Sequence, residues 1–371
     1  MKVVTIVGAR PQFIKAAVVS RAIRQHNKQR VSEYINEVII HTGQHYDSNM
    51  SDVFLKDLQL PSVSYNLGIK AFSHGAMTGN MLEKIENVLL NEKPDIVVVC
   101  GDTNSTLAGA LAAVKLCIPV AHVEAGLRSF NMKMPEENNR ILTDRVSHWL
   151  FCPTERAIKC LRSEGMFSKS VSSNNPVILN VGDVMYDAAL FYSKVSRPTD
   201  KVKQLLKEVG KGFYLSTIHR AENTDNLEHL TDIMEALNEI SESVPVVLPL
   251  HPRTKKFIKQ NNIEADNILF VDPVSYFDML SMLRECKAVF TDSGGLQKEA
   301  YFFKKFCVTL RKETEWVELV EHGYSFLAGS TKERMLEAEA SLNGCTVEWD
   351  SSLYGDGYAG EKIVKCLASN S

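Results

Sequence analysis

Short apolar runs separated by longer polar and mixed stretches recur along the whole chain. Each run is rich in β-prone residues, is too short for a helix, and is followed by turn residues and then by a stretch with helical periodicity. In the first half these runs are Val3–Val7, Glu37–His41, Asp95–Cys100, Val120–Val123 and Trp149–Cys152. The alternation predicts a parallel sheet with helices on both faces.

The same alternation starts again in the second half. After Asn174-Asn175-Pro176 comes the run Val177–Val181, and from Lys211 the later runs are Phe213–Thr217, Val244–Leu250, Asn267–Val271, Ala288–Thr291 and Phe306–Leu310. A chain of 371 residues is long enough for two domains. We therefore predict two doubly wound, Rossmann-like α/β domains, with residues 1–174 in the first and residues 175–360 in the second.

Composition narrows the classes of partner. The net charge is −3, so no basic field attracts nucleic acid or acidic lipid, and a small-molecule partner is expected. Arg10, Pro11 and Lys15 interrupt the only candidate signal-peptide core, and no apolar span is long enough to cross a membrane, which predicts a cytoplasmic protein. The eight cysteines form no CxxC pair and are expected to be buried thiols, not a zinc site.

The stretch Ala288–Ala300 predicts a strand, a tight turn and the start of a helix. The turn is Asp292-Ser293-Gly294-Gly295, and Ser293 suits the N-cap position of the helix. Two glycines let a ligand approach the backbone, and the first N–H groups of a helix favour an anion. The sequence thus predicts a phosphate site here, with Glu299 one turn further on, in reach of a ribose. The alternative is an ordinary strand-to-helix turn that needs glycine for its geometry.

Polar residues also follow the first predicted strand. Arg10 and Lys15 lie in the segment Gly8–Lys15, where Pro11 suits the first position of a helix. Ligands of open α/β sheets bind beyond the carboxyl ends of the strands. The two cations would suit an anion there, although surface basic residues would give the same pattern.

Acidic residues end two further strands of the first half. Asp102 follows Asp95–Cys100, and Glu124 follows Val120–Val123. An acid leaving a buried strand is unfavourable without a partner or a function, although Asp102 alone would also serve as a helix N-cap. Glu136 and Arg140 are four residues apart on one face of the next predicted helix, as in a surface ion pair. Together these side chains would form a cluster able to move protons.

A histidine ends one strand of the second half. His219 follows the run Phe213–Thr217, so it lies at the edge where the predicted phosphate site lies. A histidine facing a diphosphate would stabilise negative charge on a leaving group. A lone histidine in such a place is otherwise a structural residue.

Eight motifs, in their order and spacing, resemble those of the non-hydrolysing UDP-N-acetylglucosamine 2-epimerases. The motifs are GARPQFIK, HTGQH at 41–45, GDTNSTLAGA, HVEAGLRS, MPEENNR, TIHRAEN, TDSGGLQKEA and YGDGYA. The resemblance covers essentially the whole chain. It implies the glycosyltransferase-B fold, in which two Rossmann-like domains face a central cleft.

The resemblance assigns roles to individual positions. The UDP diphosphate would lie on Ser293, Gly294 and Gly295, with Glu299 on the ribose, His219 near the phosphates, and Arg10 contributed by the first domain. The residues on the sugar side would be Lys15, Asp102, Glu124, Glu136 and Arg140. The last helix, within residues 361–371, would return to the first domain. The resemblance implies a homodimer, and it implies no cofactor or metal.

The implied reaction interconverts UDP-N-acetylglucosamine and UDP-N-acetylmannosamine for cell-surface polysaccharide synthesis. UDP is eliminated across C1–C2 to give a 2-acetamidoglucal and is added back after C2 has been reprotonated on the other face. The C2 proton goes to a carboxylate, for which Asp102, Glu124 and Glu136 are the candidates. Asp102 is the one that we favour.

Three departures from the family pattern bear on the substrate and on regulation. Family members commonly have Glu where this chain has Gln12, and many have Arg where it has Trp316. An arginine that binds a second, activating UDP-sugar in regulated members is not evident in residues 67–74. With Gln12 and Trp316, the sequence resembles the branch of the family that acts on UDP-2,3-diacetamido-2,3-dideoxyglucuronate. In that case Arg311 or Lys312 would contact the sugar carboxylate. The motifs rank UDP-N-acetylglucosamine first and this uronate second.

Alternatives outside this reaction share part of the pattern. A UDP-sugar-dependent glycosyltransferase would have the same fold and nucleotide site but would not require HVEAGLR together with PEENNR. A hydrolysing epimerase usually lacks the Pro-x-x-x-Lys spacing of Pro11 and Lys15. A UDP-sugar sensor without catalysis would have no use for so many acid and base groups.

Overall fold

The structure is a computed structural model that describes residues 1–29, 33–43, 57–69, 73–168, 176–250, 252–350 and 352–369. The predicted boundary between residues 174 and 175 lies outside these ranges, as do Gln44 and His45 of the HTGQH motif and residues 70–72. The described chain divides into two compact units. Unit 1 comprises residues 1–188 and 351–371, and unit 2 comprises residues 189–350.

Unit 1 is built on a parallel sheet of seven strands. In chain order they are β1 (Lys2–Val7), β2 (Asn36–His41), β3 (Tyr65–Asn66), β4 (Ile96–Cys100), β5 (Val120–Val123), β6 (Trp149–Cys152) and β7 (Val177–Asn180). Their order in the sheet is β3-β2-β1-β4-β5-β6-β7. The helices of this unit are α1 (Arg10–Gln29), α2 (His74–Glu92), α3 (Asn104–Lys115), α4 (Pro135–Val146), α5 (Glu155–Ser163), α6 (Val184–Val195) and, at the end of the chain, α15 (Ala359–Ser369). Helix α6 crosses the boundary, with residues 184–188 in unit 1 and residues 189–195 in unit 2.

Unit 2 repeats the architecture with six parallel strands. They are β8 (Tyr214–Thr217), β9 (Val246–Pro249), β10 (Leu269–Val271), β11 (Ala288–Thr291), β12 (Phe306–Thr309) and β13 (Ser325–Leu327), arranged as β10-β9-β8-β11-β12-β13. Its helices are α7 (Asp200–Val209), α8 (Ala221–Thr224), α9 (Leu227–Ile240), α10 (Pro252–Gln260), α11 (Tyr276–Glu285), α12 (Gly294–Phe302), α13 (Val317–Glu321) and α14 (Lys332–Leu342).

The strand orders confirm the predicted doubly wound α/β class. In both sheets the first strand of the unit is central, and the chain winds outward on one side before crossing to the other. The crossing point lies between β1 and β4 in unit 1 and between β8 and β11 in unit 2, and such points are where open α/β sheets bind ligands. Strand β7 pairs with β6, so residues 177–180 lie in the first sheet although the predicted boundary placed them in the second domain.

The cores consist of the apolar strands and the helix faces that cover them. Val4, Ile6, Val97 and Val99 in unit 1 are fully buried, and so are Leu248 and Phe290 in unit 2. Such continuous apolar strands are expected when both faces of a parallel sheet are covered by helices. No helix in the described part of the chain is both long and apolar enough to cross a membrane.

The last helix packs in unit 1, against α1. A Cβ atom added at Gly360 in α15 would lie 2.8 Å from Cγ1 of Val18, so the two helices approach as closely as a glycine allows. The loop before α15 also packs tightly, since a Cβ at Gly355 would lie 2.7 Å from the Cα of Gly182. The backbone N–H of Gly360 donates to Oδ2 of Asp187, 2.9 Å away.

We expect Asp187→Asn to stabilise the protein at neutral pH and not in acid. Burial raises the pKa of Asp187 from its usual value to about 6, against the opposing effect of the N–H groups of Gly360 and Ala359. The native carboxyl therefore holds its proton to higher pH than the unfolded one, and its ionisation lowers stability by at most about 3 kcal/mol above about pH 6. Below about pH 4 both states are neutral and this loss is absent.

Urea unfolding of the wild type and of Asp187→Asn at about pH 7.5 and about pH 4.5 measures this effect. The asparagine variant should be the more stable protein at the higher pH, and the difference should shrink at the lower one. A difference that does not depend on pH would contradict the assignment.

Candidate active site

The carboxyl ends of β1, β4 and β5 bring together four of the sugar-side residues predicted in unit 1. Lys15 lies on α1, Asp102 follows β4, Glu124 follows β5, and Arg140 lies on α4. Because the three strands are parallel neighbours, their ends meet at one edge of the sheet. The structure thus forms this part of the predicted cluster from segments far apart in the sequence.

Lys15 and Glu124 form a buried ion pair. Nζ of Lys15 lies 2.6 Å from Oε2 of Glu124, and the two side chains are 11% and 10% exposed. Burial would lower the pKa of Lys15, but the charges of Glu124 and Asp102 and the hydrogen bond with Glu124 outweigh it and raise that pKa. Lys15 is therefore held as a cation, which suits an anion or a hydroxyl of a ligand.

Glu124 has a backbone conformation that is rare for a residue with a side chain. Its φ is 72°, in the left-handed region. Such conformations cost about 1 kcal/mol and persist where the surroundings fix them, commonly at functional sites. Here the N–H of Glu124 donates to the carbonyl oxygen of Phe151, and its carboxylate is held by Lys15.

Asp102 is bonded to Arg140, and it is not the cap of the following helix. Thr103 is the N-cap of α3, in a capping box with Thr106. The carboxylate of Asp102 instead accepts a hydrogen bond from the guanidinium of Arg140 and is 31% exposed. The N-cap interpretation of Asp102 is therefore wrong, and this carboxylate is both paired and accessible.

Arg140 contacts Glu137, the residue after the predicted Glu136. Its guanidinium donates to Oε2 of Glu137 at 2.7 Å, whereas the side chain of Glu136 is exposed. Glu137 is fully buried and also accepts the backbone N–H groups of Ser129 and Phe130. Burial would raise the pKa of Glu137, but these hydrogen bonds and the charge of Arg140 lower it, so it stays ionised. The expected pairing of Glu136 with Arg140 is thus not observed, and a role of Glu136 on the sugar stays a prediction.

The first motif contributes a buried amide and an exposed cation. Gln12 accepts the N–H groups of Gly8 and Ala9, and it donates to the carbonyl oxygen of Cys100, all within 3.0 Å. A glutamate would have no donor for Cys100, so the departure at Gln12 has a structural reason: the amide joins the ends of β1 and β4. Arg10 begins α1 and is exposed.

A cavity of about 540 Å³ lies beside the cluster in unit 1. Asn139, which lines it, donates to the carbonyl oxygen of Asp102 at 2.9 Å. Its walls come from α2, from the start of α3 and from residues 133–139 around the start of α4, with His74, Asn104 and Lys133 among them. The cavity has room for a polar ligand of the size of a sugar, and it is connected to the cluster through Asn139.

The predicted phosphate site in unit 2 has the expected local structure. Helix α12 begins at Gly294 with Ser293 as its N-cap, and Oγ of Ser293 accepts the N–H of Leu296. A Cβ at Gly294 would lie 2.4 Å from Oε1 of Glu315, whereas one at Gly295 would meet only Oγ of Ser293, at 3.9 Å. A side chain at Gly294 would therefore displace the Glu315 carboxylate, whereas Gly295 leaves its side of the turn open to a ligand.

Trp316 packs under the same turn. Its Nε1 donates to the carbonyl oxygen of Gly294 at 2.8 Å, and Nζ of Lys298 lies 4.1 Å from the centre of its ring. Trp316 is 5% exposed, so it supports the turn from within unit 2.

Arg311 is buried and paired with Glu315 at 2.7 Å, and Lys312 is exposed. Glu299 is buried on α12.

His219 lies at the edge of the second sheet and is held by a buried acid. Nδ1 of His219 lies 3.1 Å from Oδ1 of Asp292, and the histidine side chain is 61% exposed. Asp292 also accepts the backbone N–H groups of His219 and Arg220 and the amide of Asn223. Burial would raise the pKa of Asp292, but His219 and these donors lower it, which keeps the carboxylate charged and His219 in place.

Three residues of the site were not identified from the sequence in these roles. Asp292 was predicted only as a turn residue, and Gln12 only as a departure from the family pattern. Glu136 was predicted in the place that Glu137 occupies beside Arg140. A signal existed for Asp292, because an acid that directly follows an apolar strand needs a partner. The partners of Glu137 and Gln12 come from other segments, which no local pattern shows.

The chain is similar to known proteins over nearly its whole length. The family model described as UDP-N-acetylglucosamine 2-epimerase matches residues 27–368. A relative from Pseudomonas aeruginosa, UDP-2,3-diacetamido-2,3-dideoxy-D-glucuronate 2-epimerase, is 52% identical over 99% of both chains. UDP-N-acetylglucosamine 2-epimerase of Methanocaldococcus jannaschii is 43% identical over 99% of both chains. The crystal structure of the M. jannaschii enzyme in complex with UDP-GlcNAc and UDP superposes with a TM-score of 0.84 over the whole of both chains, at 42% identity.

Proposed function

Because the chain belongs to the UDP-N-acetylglucosamine 2-epimerase family, we propose that it is a non-hydrolysing epimerase that inverts C2 of a UDP-linked 2-acetamido sugar. The observation that carries this proposal is the pair of carboxylate–cation contacts in unit 1, Glu124 with Lys15 and Asp102 with Arg140. They supply two bases of different accessibility at one edge of the sheet, beside a cavity that accommodates a sugar. A glycosyltransferase would not need two such pairs.

In the proposed reaction a carboxylate takes the C2 proton while the bond between C1 and the UDP oxygen breaks. The electron pair of the C–H bond forms the C1=C2 double bond of the glycal, and UDP leaves with the pair from C1. A proton then returns to C2 on the opposite face, and UDP bonds again to C1. No electrons pass to an external acceptor, so the reaction balances without nicotinamide or any other redox partner.

Asp102 is the proposed base, because its carboxylate is 31% exposed whereas that of Glu124 is 10% exposed. Lys15 and Arg140 would stabilise the negative charge that develops on the sugar. Lys15, a cation that contacts Glu124, would then pass a proton through Glu124 to C2. This assignment rests on accessibility, and the substitutions in the Discussion test it.

UDP would bind at the turn of unit 2. The open side of Gly295 and the N–H groups at the start of α12 suit a diphosphate, and Ser293 would contact it. Glu299 would bind the ribose and His219 would face the phosphates, supported by Asp292. From unit 1, the exposed Arg10 is proposed as a further phosphate ligand. A homodimer, which the family resemblance implies, and a cytoplasmic location, which the sequence predicts, stay predictions.

Two substrates are compatible with this function. The motifs rank UDP-N-acetylglucosamine first, and the M. jannaschii relative bears that name. The P. aeruginosa relative, with 52% against 43% identity, favours the 2,3-diacetamido uronate. Arg311 is already paired with Glu315, so the exposed Lys312 is the better candidate of the two for a sugar carboxylate. We infer that the uronate is the preferred substrate of this chain.

Incubation of the enzyme with each UDP-sugar in deuterated water tests the function and the substrate together. Proton NMR should show deuterium at C2 of the product, with UDP retained in the nucleotide sugar. We expect kcat/KM for the uronate to exceed that for UDP-N-acetylglucosamine by about a hundredfold, near 2.7 kcal/mol in transition-state binding.

The other outcomes are equally informative. Retention of the original hydrogen at C2 would point to a mechanism other than the proposed one. Accumulation of free UDP and free sugar would indicate hydrolysis. Equal kcat/KM values, or a preference for UDP-N-acetylglucosamine, would restore the order that the motifs predict.

A further inference from the structure

A buried histidine–carboxylate pair lies beneath the cluster of unit 1, outside the residues assigned so far. His122, on β5, and Asp144, on α4, are both 0% exposed. We propose that this pair positions Asp102 and Glu124 for proton transfer. The inference rests on the proposed epimerase function and adds to it a positioning role for two residues that do not touch the sugar.

Both ring nitrogens of His122 are used. Nδ1 lies 2.7 Å from Oδ1 of Asp144, and Nε2 lies 2.7 Å from the carbonyl oxygen of Gly101. A carbonyl oxygen only accepts, so Nε2 must carry a proton and donate to Gly101. The bond to Asp144 fixes the orientation of the ring, as a carboxylate does for a catalytic histidine. His122 therefore connects α4 with the peptide that directly precedes Asp102.

That peptide has little freedom of its own. Gly101 has a φ of 67°, and its N–H donates to the carbonyl oxygen of Val123. A Cβ added at Gly101 would lie 3.1 Å from Nζ of Lys15. The hydrogen bond from His122 to the carbonyl oxygen of Gly101 therefore fixes the orientation of a tight turn. Lys15 packs against this turn, and Asp102 directly follows Gly101.

The contacts close into a ring. His122 bonds to Asp144, which lies one helical turn after Arg140 on α4, and Arg140 bonds to Asp102. Asp102 is joined through Gly101 back to His122. Glu124 lies two residues after His122, at the end of the same strand. Movement of this one pair would thus displace both candidate bases and the cation that holds one of them.

The remaining oxygen of Asp144 is also satisfied. Oδ2 accepts the N–H of Gly126 at 3.2 Å and NH1 of Arg128 at 2.7 Å. Arg128 in turn donates to both carboxylate oxygens of Glu164, at 2.6 and 2.9 Å. Buried ionic networks of this kind add little net stability over apolar residues of similar volume. The position of this network, against Gly101 and beside Glu124, is better explained by the orientation that it imposes on these two residues.

Two substitutions of His122 separate this role from general support of the fold. Asparagine places its amide nitrogen near the position of Nδ1, so His122→Asn keeps the donor to Asp144 and loses the one to Gly101. Glutamine is one methylene longer and places its amide nitrogen near Nε2, so His122→Gln keeps the donor to Gly101. We expect kcat to fall by about tenfold or more in His122→Asn and by less than about threefold in His122→Gln. The Kd for UDP should be unchanged in both, and their thermal midpoints should be similar.

We expect Asp144→Asn to lower kcat as His122→Asn does. An amide at this position cannot accept hydrogen bonds from His122, Gly126 and Arg128 together. Equal kcat values for the two His122 variants, or losses that follow their thermal midpoints, would overturn the positioning role. A crystal structure of His122→Asn gives a test independent of turnover. An unchanged Gly101 peptide with Asp102 still on Arg140 would refute the inference, whereas a wild-type enzyme that does not exchange the C2 proton would refute the proposed function instead.

Discussion

Replacement of Asp102 by asparagine is expected to lower kcat by about a hundredfold or more while changing the Kd for UDP by less than about threefold. An amide cannot take the C2 proton, but its oxygen still accepts the hydrogen bond from Arg140, so the local structure should persist. UDP is proposed to bind mainly to residues of unit 2, which this substitution does not touch. Single-turnover deuterium exchange at C2, with calorimetry for UDP, measures the two quantities separately.

Glu124→Gln provides the comparison. It should also lower kcat, and in addition it should lower the pKa of Lys15, because the charge of Glu124 raises that pKa in the wild type. Its pH–rate profile should therefore differ from that of Asp102→Asn on the alkaline side. Glu83→Gln removes an exposed carboxylate of α2 in the same unit and serves as the control. If Asp102→Asn keeps more than about a tenth of kcat, Glu124 becomes the first candidate for the base.

Valine at Gly295 is expected to weaken UDP binding by about tenfold or more, a loss of about 1.4 kcal/mol. The protein itself leaves room for a side chain there, since a Cβ would meet only Oγ of Ser293, at 3.9 Å. The loss would therefore report that the ligand approaches this face of the turn. Alanine should have a smaller effect than valine, and neither should change the thermal midpoint much.

Gly294→Val is the contrasting variant. Its Cβ would meet Glu315 at 2.4 Å, so it should lose stability as well as UDP affinity. Unchanged UDP affinity in a folded Gly295→Val protein would show that UDP does not bind at this turn. The comparison of the two glycines separates contact with the ligand from packing inside unit 2.

The sequence predicted the strands of both sheets well where they are central and apolar. Strands β3 and β13 were missed, because Tyr65–Asn66 and Ser325–Leu327 are short edge strands without an apolar run long enough to be distinctive. Strand β7 was found but assigned to the wrong sheet. A strand's own residues do not encode which neighbour it pairs with, and only its pairing with β6 shows it.

The candidate site was predictable at the ends of strands and less so on helices. Asp102, Glu124 and Ser293 follow strands directly, so the rule for ligand sites in α/β sheets locates them. On α4, Glu136 and Glu137 are both spaced to reach Arg140, at four and at three residues. The choice of Glu137 depends on the N–H groups of Ser129 and Phe130, which reach it through the fold of a separate loop. Helical periodicity alone does not distinguish the two.

The packing of α15 on α1 also bears on the order in which the chain can fold during synthesis. Unit 2 is a continuous stretch of residues 189–350, so all of its strands are available once that stretch has left the ribosome. Unit 1 contains residues from both ends of the described chain. Helix α1, which carries Arg10 and Lys15, stays uncovered on its α15 side until residues 359–369 have been made. On the ribosome, helix α1 is therefore made before unit 2 but completes its packing only after the whole of unit 2 has been made.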